Sequence, residues 1–292
     1  MLRALLICLL MCLMVIVPSN AEEQTDISWW ENNMLIVTGY GVPPDGIANT
    51  TKARRMARKA AMSDAYRLLA EQAGAVRITA NENVTLKQVS AVIKGAKIVS
   101  EDYDEYDICT IVMSVPIYGV KDSIAQAVIK RVDKEDFMTV EPVENVEGNY
   151  TGLILDCGEL ELNPVLLPEI RNADSQSVYA YENLDYDMVI DKGMINYVEV
   201  ISDEPTAHED STVEEQSTVE DPKVLSASAR GDMSRAGDNP LVVKVVGLDA
   251  DNSCPIISVD DATKILSENQ ASHFLDNGSV VFMSNRIRGI RY

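Results

Sequence analysis

Hydrophobic and polar positions change rhythm several times along this chain. Ala4 to Val17 is an unbroken apolar run of 14 residues, behind Met1-Leu2-Arg3 and ahead of Pro18-Ser19-Asn20-Ala21. A positive start, an apolar middle and a small-residue end predict a cleavable export signal over residues 1–21, cut after Ala21. As a helix the run rises about 21 Å, short of a hydrocarbon core about 30 Å thick, which favours a signal over an anchor. Cys8 and Cys12 lie in the run, but Ile7 and Met11 precede them where a lipidation box needs a small residue. No later segment reaches the roughly 18 apolar residues of a spanning helix, so no membrane span is expected in the mature chain.

From about Ser28 to Asp133 the pattern describes a first domain (28–133). Met34 to Thr38 is a short apolar strand, and Gly39-Tyr40-Gly41-Val42-Pro43-Pro44-Asp45-Gly46 reads as the turn that ends it. The strongest helical periodicity follows: Ala53, Met56, Ala57, Ala60, Ala61, Ala65, Leu68 and Leu69, with Asn49, Thr50 or Thr51 able to cap it and Gly74 able to close it. About 24 residues of helix would be roughly 36 Å long. Its apolar face is mostly alanine, which lets a sheet approach closely. Val76 to Ala80 reads as a second strand. Ala96 to Tyr103 and Ile108 to Ile117 read as a hairpin around Asp104-Glu105-Tyr106-Asp107, and Ser123 to Ile129 as a short helix. These elements predict an α+β domain with a long helix on a small antiparallel sheet, the other sheet face being free to pair.

Lys134 to Gly148 is polar and acidic and reads as a boundary. Beyond it Thr151 to Asp156, Val178 to Glu182, Leu241 to Leu248 and Val280 to Met283 are strand-like, and Asp260 to Asn269 is helical, giving a second α/β domain over 149–200 and 239–285. Between Ser202 and Asp221 there are eight acidic residues, no Lys or Arg and few apolar ones, so 201–238 is expected to be a disordered acidic insertion.

Charge narrows the partners. The chain carries 25 Lys and Arg against 46 Asp and Glu, a net charge of −21. Such a balance disfavours nucleic acid and anionic lipid surfaces. Beyond the signal only Cys109, Cys157 and Cys254 remain, so at most one disulfide can form. If one exists it joins Cys157 and Cys254, but three buried free thiols are the favoured reading.

Candidate chemistry is sparse. His208 and His273 have no spacing suggestive of a metal cage or a triad, and Gly-x-Ser-x-Gly, His-Glu-x-x-His and Cys-x-x-Cys are absent. Gly39-Tyr40-Gly41 imitates a dinucleotide fingerprint, but Pro44 stands where its third glycine belongs. Gly41 to Gly46 imitates a phosphate loop, but Ile47-Ala48 replaces lysine and hydroxyl. No cofactor and no catalytic or metal-binding residue is expected. Two carboxylate groups, Asp102, Asp104, Glu105 and Asp107 and then Asp185, Asp187 and Asp191, lack the register of a calcium loop and read as solvated turns. Interaction is the remaining theme. Lys52, Arg54, Arg55, Arg58 and Lys59 form a basic cluster, either a solvated helix flank or a docking surface for an acidic partner, such as another copy's acidic insertion. Trp29 and Trp30 either cover the core edge or touch a partner.

The runs Gly39 to Pro44, Ala53 to Glu71 and Gly74 to Ile78, with Val115-Pro116-Ile117, resemble the Lpp-twenty lipoprotein family. The likeness covers roughly Trp29 to Val128 and centres on Arg-x-x-Ala-x-x-Ala-Ala-x-x-Asp-Ala-Tyr-Arg. That family is similar in fold to the N-terminal domain of the flagellar assembly protein FlgT. The resemblance implies a helix packed on a small antiparallel sheet and no enzymatic activity. Arg54, Asp64 and Arg67 in the motif can pin the helix by hydrogen bonds and ion pairs. Together these readings predict an exported, non-enzymatic protein of the periplasm or cell envelope, acting on envelope proteins or on itself. A secreted hydrolase with a scattered site, or a small-ligand or cation-binding module, are the alternatives.

Overall fold

The structure is a computed structural model that describes residues 29–45, 51–130, 148–201 and 228–289. The signal, Cys8 and Cys12, the caps Asn49 and Thr50, the boundary up to residue 147 and His208 lie outside the described residues. The fold class is α+β, as the hydrophobic pattern predicts.

The first unit is a three-stranded antiparallel sheet covered on one face by helices. Its elements are α1 (Trp29–Asn32), β1 (Met34–Gly41), α2 (Thr51–Ala75), α3 (Leu86–Gly95), β2 (Lys97–Tyr103), β3 (Cys109–Pro116) and α4 (Ile124–Val128), with strand order β1-β3-β2. Along β1, Leu35, Val37, Gly39 and Gly41 face the helices while Ile36 and Tyr40 face out, the two-residue alternation of a half-buried strand. The α2 helix buries Ala53, Ala57, Ala61, Ala65 and Leu69, one residue per turn. A Cβ on Gly39 would lie 2.4 Å from the Ala61 carbonyl oxygen, and one on Gly41 would lie 2.0 Å from that of Ala57. Alanine on the helix and glycine on the strand therefore bring two backbones nearly into contact. This corrects the turn expected from Gly39. The strand continues through Gly41 because both glycines are needed inside it, under the helix.

Two further expectations change. Val76 to Ala80 is not a strand: Arg77 makes a single bridge to Asn83, and the Ile78 and Thr79 N–H groups both donate to the Glu82 carbonyl, 2.8 and 3.2 Å. Val76 and Ile78 are apolar because they are buried in a tight loop. The carbonyls of Arg77 and Ile78 accept from the N–H groups of Leu166 and Leu167 in the second unit. The α3 helix went unanticipated, though Thr85 and Gln88 form a capping box there, with Thr85 N–H donating to Gln88 Oε1 at 2.8 Å.

The second unit has more strands than its pattern suggested. They are β4 (Gly152–Asp156), β5 (Glu161–Leu162), β6 (Ile170–Asn172), β7 (Ser177–Tyr179), β8 (Asn196–Ile201), β9 (Ser228–Arg230), β10 (Pro240–Lys244), β11 (Gly247–Leu248), β12 (Pro255–Ile257), β13 (Val280–Ser284) and β14 (Arg286–Ile287), with helices α5 (Tyr186–Lys192) and α6 (Val259–Ser272). A five-stranded sheet of order β10-β4-β13-β8-β9 is parallel except at β9. A second sheet has order β11-β12-β6-β7, and β14 pairs with β5. The continuous run Leu153-Ile154-Leu155 suits a parallel strand buried on both faces.

The expected acidic insertion 201–238 is corrected at its end. Ser228–Arg230 pairs with β8, and Ser234–Ala236 is a 3-10 turn, because Arg235 is built into the fold. Its guanidinium donates to the carbonyls of Lys192 (2.8 Å) and Gly193, which end α5, and to Asn196 Oδ1 at 3.0 Å. Residues 202–227 lie outside the described residues.

One hydrophobic core runs through both units. At the junction the Trp29 ring meets Tyr197 edge to face at 6.4 Å, and Tyr197 meets Phe282 at 5.9 Å. Buried and half-buried tyrosines tie backbone across the gap. Tyr118 Oη donates to the Leu166 carbonyl at 3.0 Å, Tyr186 Oη to that of Ile129 at 3.4 Å, and Tyr181 Oη to that of Lys130. Among the described residues, no helix is long and apolar enough to cross a membrane.

Candidate functional site

The basic cluster and the acidic hairpin, separate in sequence, meet in the fold. Arg54 and Arg58 stand on the flank of α2 that overlooks β2 and the turn beyond it. Arg54 Nε lies 2.7 Å from Asp107 Oδ1, with its guanidinium 5.4 Å from the centre of the Tyr103 ring, and Arg58 Nε lies 2.8 Å from Glu101 Oε2. Asp107 is buried at φ 61°, and Asp104 Oδ1 accepts from the N–H groups of Tyr106 (2.9 Å) and Ile108 (2.8 Å). The hairpin carboxylates thus close their own turn and hold the helix. Two of the predicted docking residues, Arg54 and Arg58, are occupied within the first unit.

Among the described residues Arg55 and Lys59 have no such ion pair. With Lys52 they fall at i, i+3 and i+7 on one exposed stripe, directly opposite the buried alanine row of α2. Met56, 43% exposed, sits in the stripe.

Trp29 and Trp30 follow the core-edge alternative and not the partner contact. They are 4% and 8% exposed and belong to the core, so neither offers its ring to a partner. As the first residues of α1 they are drawn inward by Tyr197 and the strands beneath it.

The polar residues of the Asp-Ala-Tyr-Arg motif pin the helix to the strand edge. Asp64 accepts from the Tyr40 N–H at 3.1 Å and from Arg67 at 2.8 Å, and Arg67 also holds Glu71 at 2.8 Å. Burial pushes the Asp64 carboxyl up, but the hydrogen bonds from Arg67 and Tyr40 outweigh it and hold the group below the ordinary range.

On the other side of the sheet, β2 is an edge strand whose outer side is unpaired among the described residues. Six of its seven residues are exposed, with Val99 64% and Ile98 41% accessible. Ile36, Tyr40 and Val42 add exposed apolar surface on and beyond β1. An unpaired edge offers backbone donors and acceptors to another chain.

Reactive groups do not assemble. Cys109, Cys157 and Cys254 are free and buried, the three thiols expected, and the possible Cys157–Cys254 bond is not formed. Burial, helped by Asp156 beside Cys157 and Glu169 beside Cys254, pushes both these thiols up to about 12, where they are not nucleophiles near neutral pH. His273 ends α6 in the left-handed conformation, its Nδ1 at 2.8 Å from Asp276. Asp185 caps α5 by accepting from Met188 N–H, while Asp187 and Asp191 lie exposed along that helix. Among the described residues no three His, Cys, Asp or Glu side chains converge as metal ligands do. The space a nucleotide would need beside Gly39 and Gly41 is filled by the backbone of α2.

Two cavities lie between the units. One of about 240 Å3 is lined by Thr79, Asn81, Glu169, Arg171 and Cys254, its charges paired as Arg171 with Glu169 at 2.6 Å. The other, about 260 Å3, is lined by Trp30, Asn33, Tyr118, Asn196 and Asp232. Asn33 Oδ1 accepts from Tyr118 N–H, Asn196 Nδ2 donates to the Asp232 carbonyl, and Asp232 Oδ1 accepts from Ser234 N–H, each at 2.9 Å. Polar groups in both are largely committed to the fold.

The second unit defines a likeness to one domain family. A family profile described as Treponema pallidum Tp0624, second domain, matches residues 152–286, from the first residue of β4 into β14. No curated protein matches the chain.

Proposed function

We propose that this chain is an exported, non-enzymatic protein of the cell envelope, with a structural or assembly role carried by protein–protein contacts. The observation that carries the reading is the open edge of β2. It is long enough to seat an added strand, has Ile98 and Val99 exposed, and belongs to a sheet on which α2 packs at β1 and β3. The export signal expected over residues 1–21 supports a location for such a surface outside the cytoplasm. The resemblance of the first unit to the Lpp-twenty family, and through it to a flagellar assembly domain, agrees with that role by analogy of fold.

The test is capture of the mature protein from crosslinked envelope fractions, beside a Val99→Asp variant that puts a charge on the open edge. The proposal expects defined envelope proteins to accompany a chain that begins at Glu22, and to be lost with the variant while its circular dichroism is unchanged. Equal capture by both chains would overturn the edge as the contact. Steady turnover of a hydrolase substrate by the pure protein would overturn the non-enzymatic reading.

A further inference from the structure

Lys97 and Asp102 stand five positions apart on β2, a spacing that puts two residues of a regular strand on opposite faces. Here they share one face. The register against β3 slips between Ile98 and Ser100, so Val99 is the extra residue of a bulge and the alternation restarts beyond it. Lys97 is opposite Ser114, itself opposite Ile36, and Asp102 is opposite Thr110, itself opposite Tyr40. Ile36 and Tyr40 face away from the helices, and Lys97 and Asp102 therefore do too. Between them on that outer face lies Ser100, opposite Val112. Glu101 points the other way, to Arg58, whereas Lys97 and Asp102 are exposed and make no ion pair among the described residues.

We infer that β2 pairs antiparallel with β2 of a second copy of the chain, around a two-fold axis at Ser100, joining two three-stranded sheets into one of six strands. The inference rests on the assembly reading above and names the strand that the open edge receives. Charge complementarity carries it. A strand centred on Ser100 has to bring an anion opposite Lys97 and a cation opposite Asp102, both on the outer face. The β2 strand meets that demand itself, because the two-fold axis sets Lys97 of each copy opposite Asp102 of the other, with Ile98 facing Glu101 and Val99 again the extra residue. Residues directly opposite in such a pair have Cβ atoms about 4.5 to 5.5 Å apart, within reach of an ion pair. The neighbouring registers fail. An axis at Glu101 sets two carboxylates against each other, and an axis at Ile98 leaves Lys97 and Asp102 without counter-ions. Bulges and edge charges ordinarily keep strands from adding to an edge. Here the bulge places the two charges so that an identical strand answers both, while a strand without this pattern is turned away.

Charge exchange tests this in the full mature chain. Lys97→Glu alone and Asp102→Lys alone each set like charges opposite one another at both ends of the contact. The two substitutions together restore both pairs with their signs exchanged and leave the net charge unchanged. Both sites are exposed, and far-ultraviolet circular dichroism with thermal melting checks that each variant folds. Sedimentation velocity is run at about 0.15 M salt, where repulsion between the two acidic bodies is largely screened beyond about 8 Å. The natural chain should dimerise, each single variant should do so about thirtyfold more weakly, and the exchanged chain should match the natural one. A one-to-one mixture of the two single variants should also recover the dimer, because each then supplies the charge the other lacks. A monomeric natural chain, or an exchanged chain no tighter than the single variants, would overturn the inference. Capture of envelope proteins does not require the pure protein to dimerise, so a monomer that still captures them through β2 would refute the second copy and leave the assembly reading standing.

Discussion

Replacing Gly41 by alanine should destabilise the protein, although alanine is ordinarily the better residue in a strand. Relief of glycine's backbone entropy alone would favour alanine by about 0.5 to 1 kcal/mol. Here the new Cβ would stand 2.0 Å from the Ala57 carbonyl oxygen and 2.4 Å from the Ala61 nitrogen. Both obstacles are helix backbone, which cannot rotate away, so α2 must lift from β1 by at least about 1 Å to restore ordinary van der Waals distance. Overpacking of this kind costs about 1 to 3 kcal/mol, and two backbone contacts put Gly41 at the upper end, for a net loss of about 2 kcal/mol. In a chain of this size that lowers Tm by about 4 to 8 °C. Urea unfolding and thermal circular dichroism on the mature chain measure both quantities. Gly247→Ala is the control, since a Cβ there meets nothing within 4 Å and should be neutral or mildly stabilising. Adding Ala57→Gly to Gly41→Ala should not rescue it, because the clash is with the carbonyl and not with a side chain. A Tm unchanged or raised by Gly41→Ala would refute the close approach of strand and helix.

Tyr197→Phe removes a hydroxyl that accepts from Val165 N–H (3.0 Å) and donates to Val165 O (3.1 Å) in the buried junction; the stranded backbone groups should cost about 2 to 3 kcal/mol by urea unfolding. Folded mature chain should resist a thiol reagent at pH 8, since Cys157 and Cys254 are held at about 12, while the unfolded chain, without reductant, should react at Cys109, Cys157 and Cys254; a missing pair by intact mass would show a disulfide. Because the folded Asp64 carboxyl titrates below its unfolded value of about 3.9, its contribution is full above that pH and is lost as the pH falls through the folded value. The stability gap between the natural chain and Asp64→Asn should therefore be widest near neutrality and close in acid; a gap independent of pH would refute the role of the charge.

Much of the first unit was legible because its signals are local. Alanine recurring once per turn marks α2, and the hairpin announces itself by two apolar runs around an Asx-rich turn. Glycine at 39 and 41 suggests a turn because glycine usually breaks a strand, and only the approach of α2 shows that the same residue can be demanded inside one. Val76 to Ala80 failed for a related reason: burial produces the same apolar composition in a tight loop as in a strand. Of the interaction residues, Arg55 and Lys59 kept the exposure expected of them, while Trp29 and Trp30 went into the core. Nothing in the sequence around two tryptophans tells a partner from the protein's own second sheet. A usable hint did exist, in 11 tyrosines against 3 phenylalanines, for a ring with a polar tip suits a junction that must be apolar and still satisfy backbone carbonyls.

The sequence by itself determined the α+β class, the long helix with its small-residue face, the division of charge along the chain and the absence of familiar catalytic motifs, since each depends on composition or on spacing within a few turns. Tertiary structure alone decided which cations are free. Arg54 and Arg58 are neutralised by residues 43 and 53 positions away, a pairing fixed by how the hairpin folds back over α2, and Lys52, Arg55 and Lys59 are left outward by the same packing. It also decided that the two units share one core. The five-stranded sheet is assembled from strands far apart in sequence, whose order no local pattern encodes, because parallel neighbours are joined by long connections and are chosen by the surface they bury together.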